Sequence, residues 1–315
     1  MSASRLRAAD IRSLDRGLWA LGERPITEAD IVAALCRRDR DAFAAGLTAA
    51  RLWGVPLPGV LADEVVSAPA TSRRDHGRSV HRPRGRTVDI RIHLASPAAP
   101  RRGTALVRWS RLEATPVSLE KGPTVRVTSR IRTLLDLSGV LRHEALVAIG
   151  DHLVRHPRQE FERRSKPYAS LEELLEAAGA FHGRGARRLR AAVTQMRLGS
   201  DSPAETRLRL ALVKAGLPEP LANERPVGGV DRLGTEIDLG QPDLHWPRWR
   251  VAVEHDGPTH LTPEQQAKDI ARGERRSRAG WVEVRTMAED LQYGCRKAVN
   301  RVRDALLRQG WTPSA

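Results

Sequence analysis

The segment Trp249-Arg250-Val251-Ala252-Val253-Glu254-His255-Asp256-Gly257 decides how this chain is read. Residues 251–253 are apolar enough for a central strand, and the strand delivers Glu254 and Asp256 to its end, just before a glycine. Working outward, Thr262-Pro263-Glu264-Gln265 is a capping box that opens a helix to about Ala279, stopped by Gly280. Trp281-Val282-Glu283-Val284-Arg285 then alternates as a strand, and a last helix runs to about Arg308. Upstream, Ser202-Pro203-Ala204-Glu205 puts Ser at the N-cap, Pro at the first helical position and Glu two further on. Between this helix and the central strand, strand-like pieces fall at 223–227 and 235–239, with Gly228-Gly229 as the turn between them. The order is helix, three strands, helix, strand, helix. It predicts an α/β sandwich with mixed strand directions, inside a chain that is α+β as a whole. No glycine-rich phosphate loop is present, which excludes a doubly wound nucleotide fold.

In that arrangement Asp243, Glu254 and Asp256 converge at one edge of the sheet, with Asp238 as a spare acid and His255 and His260 close by. Clustered carboxylates repel one another and persist more comfortably around a divalent cation. Oxygen ligands with few cysteines favour Mg²⁺ or Mn²⁺ over Zn²⁺. Such a site can activate water against a phosphodiester while a histidine moves protons. The plainer alternative is that these acids are solvated loop residues. Glu205 is equally open: it either closes its capping box or projects toward whatever its helix covers. Asp269, Arg272 and Arg276 share one face of the second helix. That face is either a surface with salt-bridge partners or a cover over the acids whose arginines meet phosphate.

The remainder of the chain differs in charge. Of 315 residues, 53 are basic and 38 acidic, a net charge of +15. Residues 1–199 hold 35 basic and 21 acidic side chains, and residues 200–315 hold 18 and 17. Composition therefore places a boundary near Gly199-Ser200-Asp201, between a basic domain over 1–199 and a nearly neutral domain over 200–315. Residues 73–111 carry 11 arginines, including Arg82, Arg84 and Arg86, and form the candidate nucleic-acid grip. The skew toward arginine, with only five lysines, also fits a GC-rich coding sequence. In the basic part Ile11, Leu14, Leu18 and Leu21 predict a helix over the first ~25 residues. Further helices are expected from Thr27 to Leu35, from Ala44 to Trp53, over 129–153, after Ser170 and after Gly185, with strands at 88–94 and 124–127. No apolar run approaches the ~18 residues of a membrane span, and no secretory leader is visible, which predicts a soluble chain without membrane partners. Cys36 and Cys295 can form neither a zinc quartet nor a disulfide framework, so a reducing cytoplasm is the expected location.

The ordered motifs Ser202-Pro-Ala-Glu205, Pro242-Asp-Leu-His-Trp-Pro247, Val251-Ala-Val-Glu-His-Asp-Gly257, His260, Asp269-x-x-Arg272 and Gly280-Trp281 resemble the endonuclease-like domain related to very-short-patch-repair enzymes. That domain belongs to the PD-(D/E)xK restriction-endonuclease-like superfamily. The resemblance covers about residues 200–292 and implies that Glu205, Asp243, Glu254, Asp256, His260 and Asp269 are catalytic. It implies Asp243 and Glu254 as ligands of Mg²⁺ or Mn²⁺, and Arg272 as a nucleic-acid contact. It also favours Asp243 over Asp238 as the strand acid. Two departures stand out: Asp256 occupies the position of the superfamily's usual lysine, and Arg276 stands where an apolar residue is expected. The N-terminal part, through Ala49-Ala-Arg-Leu-Trp-Gly-Val-Pro-Leu-Pro58 and Val127-Thr-Ser-Arg-Ile-Arg-Thr-Leu-Leu-Asp-Leu137, resembles type IV antitoxins of the abortive-infection class.

Together these readings predict a Mg²⁺-dependent DNA endonuclease in DNA repair or phage defence. The alternative is a non-catalytic, antitoxin-like DNA-binding regulator that keeps a nuclease fold. A third reading is an interaction partner of a cognate toxin.

Overall fold

The computed structural model describes residues 10–22, 25–63, 80–81, 87–88, 91–98, 102–158, 162–228, 236–256 and 263–313. The chain divides into a unit of residues 1–149 with 172–194 and a unit of residues 150–171 with 195–315. The second unit thus takes in 150–171, a segment that composition placed in the basic domain. The fold is mixed α+β.

In the first unit, β1 (Ile11–Asp15) and β2 (Leu18–Leu21) form an antiparallel hairpin where a helix was expected. Gly17, at φ 74°, makes the reversal that other residues resist. Leu18 and Ala20 then alternate inward, so their burial follows a period of two. α1 (Glu28–Arg38) starts at a closed capping box: Thr27 Oγ1 accepts from Asp30 N at 3.1 Å, and Asp30 Oδ2 accepts from Thr27 N at 3.0 Å. β3 (Phe43–Ala44) leads into α2 (Gly46–Trp53), which ends at Gly54 in the left-handed region. A short pair, β4 (Val80–His81) with β5 (Thr87–Val88), precedes β6 (Ile92–Ser96), β7 (Val107–Arg111), β8 (Val117–Glu120) and β9 (Thr124–Val127). Five of these strands form a sheet in the order β7-β6-β3-β9-β8, and Ile31, Val32, Leu52, Ile92, Leu94 and Val127 share its core.

The helix expected over 129–153 is broken into α3 (Arg130–Leu137) and α4 (His143–Val154). α5 (Leu171–Ala180) and α6 (Ala186–Val193) follow. Trp53 donates its Nε1 proton to the Thr128 carbonyl at 2.8 Å, and the Arg130 guanidinium lies 3.8 Å from its ring centre.

In the second unit the order is α7 (Pro203–Lys214), β10 (Leu221–Ala222), β11 (Leu244–Trp246), β12 (Val251–Asp256), α8 (Pro263–Arg278), β13 (Val282–Met287) and α9 (Gln292–Arg308). The sheet runs β10-β11-β12-β13; the first two pairs are antiparallel and the last is parallel. The central strand lies close to its expected place. The first strand is shorter and earlier than expected, and the second is Leu244–Trp246 rather than 235–239. Burial explains that choice: Leu244 and Trp246 stand opposite Val253 and Val251 and enter the core with Leu208, Leu212, Val299 and Val302. The α4 residue Asp151 anchors α7 through Thr206 Oγ1 at 2.8 Å and the buried Arg209 Nη2 at 2.9 Å. No described helix is long and apolar enough to cross a membrane, and both cysteines are free and buried.

Candidate functional site

The register of the sheet places the acids. Leu244 pairs with Val253, His245 with Ala252 and Trp246 with Val251, so one step further Asp243 comes opposite Glu254. Successive side chains point to opposite faces. Leu244, Trp246, Val251 and Val253 therefore fill the apolar core, while Asp243 and Glu254 project from the other face. On the neighbouring strand Ala252 pairs with Glu283 and Glu254 with Arg285, which extends this charged layer to β13.

α8 covers the layer with arginines. Arg276 is 1 % exposed. Its Nη1 donates to Glu254 Oε1 at 2.6 Å and to Glu283 Oε2 at 2.7 Å, and its Nε to the Leu239 carbonyl at 2.8 Å. A buried guanidinium thus replaces the apolar side chain expected at this position, because the sheet face beneath it is acidic. One turn earlier, Arg272 Nε lies 3.9 Å from Glu254 Oε1, and its Nη2 meets Asp269 Oδ1 at 2.5 Å. Asp269 and Arg272 therefore join the cluster through Glu254.

Asp243 and Glu205 are held by backbone and amide donors. Asp243 Oδ2 accepts from His255 N at 2.6 Å. Glu205 is 7 % exposed. Its Oε2 accepts from Asp201 N at 2.9 Å and from Asn223 Nδ2 at 2.7 Å. The Ser202 hydroxyl caps Glu205 N at 3.2 Å, but the glutamate reaches past Ser202 to Asp201, so its carboxylate is turned toward the site. Asn223 links the two acids, because its own N–H donates to the Asp243 carbonyl at 3.0 Å. Sequence reasoning missed Asn223. The available signal was an asparagine closing a short strand: it adopts φ 49°, a conformation asparagine tolerates better than most residues.

Burial pushes the Asp243 carboxyl up to about 8, reinforced by the nearby charges of Glu205 and Glu254. Burial also holds Glu205 above the ordinary carboxylate range. Glu254 is raised by burial even though Arg276 opposes the shift. Burial pulls the His245 imidazole down to about 4, with Arg276 adding to the effect, so that ring is neutral at pH 7.

The other candidates separate. The Asp256 side chain is 37 % exposed and sits 3.9 Å from Arg285 Nη1, at the rim of the layer. Asp238 is solvent-facing, with Arg225 3.6 Å away. His255 offers Asp243 its backbone N–H while its ring lies 3.1 Å from Thr286 Oγ1; strand alternation puts that ring on the face away from Glu254. His260 and the arginines Arg82, Arg84 and Arg86 lie outside the described residues.

Among the described residues no group of three or more His, Cys, Asp or Glu side chains is arranged to hold a metal ion. Two facing carboxylates, Asp243 and Glu254, still suit Mg²⁺, which is commonly bound through one or two carboxylates and keeps several of its waters. Comparison with protein-family profiles, curated proteins and solved structures returned no match.

Proposed function

We propose that the C-terminal unit is a restriction-endonuclease-like domain that cleaves DNA phosphodiesters with Mg²⁺ or Mn²⁺, in the reducing cytoplasm. The observation that carries this reading is the meeting of Asp243 and Glu254 across adjacent strands, with Glu205 close enough to raise Asp243 further. Three acids concentrated at one sheet edge cost stability unless a positive charge shares them. Asp243 and Glu254 would hold the cation, which supplies Lewis-acid stabilisation of a phosphoryl oxygen and lowers the pKa of bound water. Glu205 and Asn223 orient Asp243; Arg276 orients Glu254. Arg272, only 30 % exposed and close to both Glu254 and Asp269, would meet a phosphate at the edge of the acids.

The direct test incubates the full chain with supercoiled plasmid and with single-stranded DNA in Mg²⁺ or Mn²⁺. Cleavage should fall at least ~100-fold in Asp243→Asn and Glu254→Ala, the scale of loss expected for groups that stabilise the transition state. Absence of cleavage by the wild type, or equal cleavage by Glu254→Ala, removes the catalytic reading.

A further inference from the structure

A second polar site lies in the N-terminal unit. A cavity of about 380 Å³ is lined by Arg16, Arg38 and Arg102, by Asp15 and Thr104, and on its apolar side by Leu18, Leu35, Val107 and Trp109. The fold builds it deliberately: the Gly17 turn between β1 and β2 presents Arg16, and the C-terminal turn of α1 presents Arg38. Arg38 Nη1 donates to the Gly17 carbonyl at 3.2 Å, and a side chain on Gly17 would come within 3.0 Å of that same nitrogen. The turn and the arginine are thus fitted to one another.

The charge balance is uneven. Three guanidiniums face a single carboxylate, and Asp15 is already engaged by the Thr104 hydroxyl and by Arg16 N at 2.7 Å. Among the described residues, none of the three arginines makes an ion pair with a carboxylate. Guanidinium groups that line one concave site suit phosphate oxygens, which they can bind through two N–H donors at once. The cavity is larger than a bare phosphate needs, since pockets of ~300 Å³ and above hold whole small ligands. Trp109, half-buried against the core, also lines the cavity, and aromatic faces stack nucleobases without regard to their identity.

We propose that this cavity binds a nucleoside monophosphate group, with the phosphate on Arg16, Arg38 and Arg102 and the base against Trp109. The group comes either from a free nucleotide or from the 5′-phosphorylated end of a DNA strand. The site uses no residue of the acid cluster.

Isothermal titration of the full chain, in EDTA, tests it with AMP, adenosine, inorganic phosphate, and a three-nucleotide deoxyadenosine strand with and without its 5′ phosphate. AMP or the phosphorylated strand should bind at least tenfold more tightly than adenosine, inorganic phosphate or the 5′-hydroxyl strand. Stronger binding of the phosphorylated strand than of AMP assigns the site to strand ends; the reverse assigns it to free nucleotides. The double variant Arg16→Gln/Arg102→Gln should lose at least tenfold in affinity at an unchanged melting temperature, while Arg248→Gln leaves affinity intact. Failure of both phosphorylated probes to bind more tightly than their unphosphorylated counterparts, or full affinity in the double variant, overturns the assignment. Loss of DNA cleavage in Glu254→Ala bears on the other site and leaves this one untouched.

Discussion

Arg276 Nη1 lies 2.6 Å from Glu254 Oε1, and the two side chains are 1 % and 14 % exposed. Glu254 therefore arrives at the acid cluster with a resident counter-charge in hydrogen-bond contact, whereas Asp243 has an N–H donor and two negative neighbours, with the charge of Arg158 opposing them only in part. The two acids face each other across the strands but differ electrically. Glu254 is held by Arg276, and Asp243, raised by burial and by its two acidic neighbours, is a group whose protonation changes the charge of the site.

Removing the guanidinium should be costly even though an apolar residue fits the helix pattern. Arg276→Leu leaves Glu254 with only the more distant Arg272 and Glu283 with only the half-exposed Arg285, and breaking a buried pair in this way costs up to about 3–5 kcal/mol. Urea unfolding should show that loss. Adding Glu254→Gln should restore part of it, with a coupling of about 1–3 kcal/mol in the double-mutant cycle. Strictly additive losses would show that the two side chains do not act as a pair.

Asp243 should make the metal-free protein less stable as pH rises. Its carboxyl goes from an ordinary 3.8 to about 8 on folding, so between those values the folded chain holds a proton that the unfolded chain has released. Stability from this group is full below pH ~4 and is lost as pH climbs through about 8. Melting temperature in EDTA should therefore fall by several degrees across that window after correction for other groups, a size set by ~1 kcal/mol per few degrees. Asp243→Asn should flatten the fall. Glu205→Gln, which removes a negative neighbour and keeps an oxygen acceptor for Asp201 N, should move the midpoint to lower pH. A profile that Asp243→Asn leaves unchanged would locate the titration elsewhere.

These relationships were unevenly legible in the sequence. Helix starts were readable because capping is local: Thr27 with Asp30, and Ser202 before Pro203, act within four residues. The β12 strand was readable from its own apolar run. The β1–β2 hairpin was not, because Ile11, Leu14, Leu18 and Leu21 fit a helical spacing as well as they fit two strands around a glycine. Only Gly17 at positive φ separates the two solutions. The second strand of the C-terminal sheet was misplaced for a related reason. Residues 235–239 and 244–246 are both strand-like alone, and opposition to Val251 and Val253 selects the latter. In the acid cluster, Glu205, Asp243, Glu254, Asp269 and Arg272 were named from motif order, and the contacts join them. The roles of Asn223 and Arg276 depend on partners about 20 residues away in sequence, which no local pattern encodes.

Divalent cation binding should compete with the Asp243 proton, and this competition distinguishes a shared site from a surface effect. A carboxylate must be ionised to ligate, so Mg²⁺ binds the deprotonated form and is excluded by the protonated one. With the carboxyl at about 8, the proton holds the site at pH 6 and the cation can displace it near pH 8.5. A cation present at 100 times its dissociation constant stabilises the folded state by about 2.7 kcal/mol. Thermal melts with 10 mM MgCl₂ should therefore show a shift of several degrees at pH 8.5 and little at pH 6, measured against NaCl of equal ionic strength. Asp243→Asn should abolish the shift at both pH values. Glu205→Gln should let it persist to lower pH, because Asp243 then ionises more readily. A Mg²⁺ shift equal at the two pH values, or one retained in Asp243→Asn, would place the cation away from these acids.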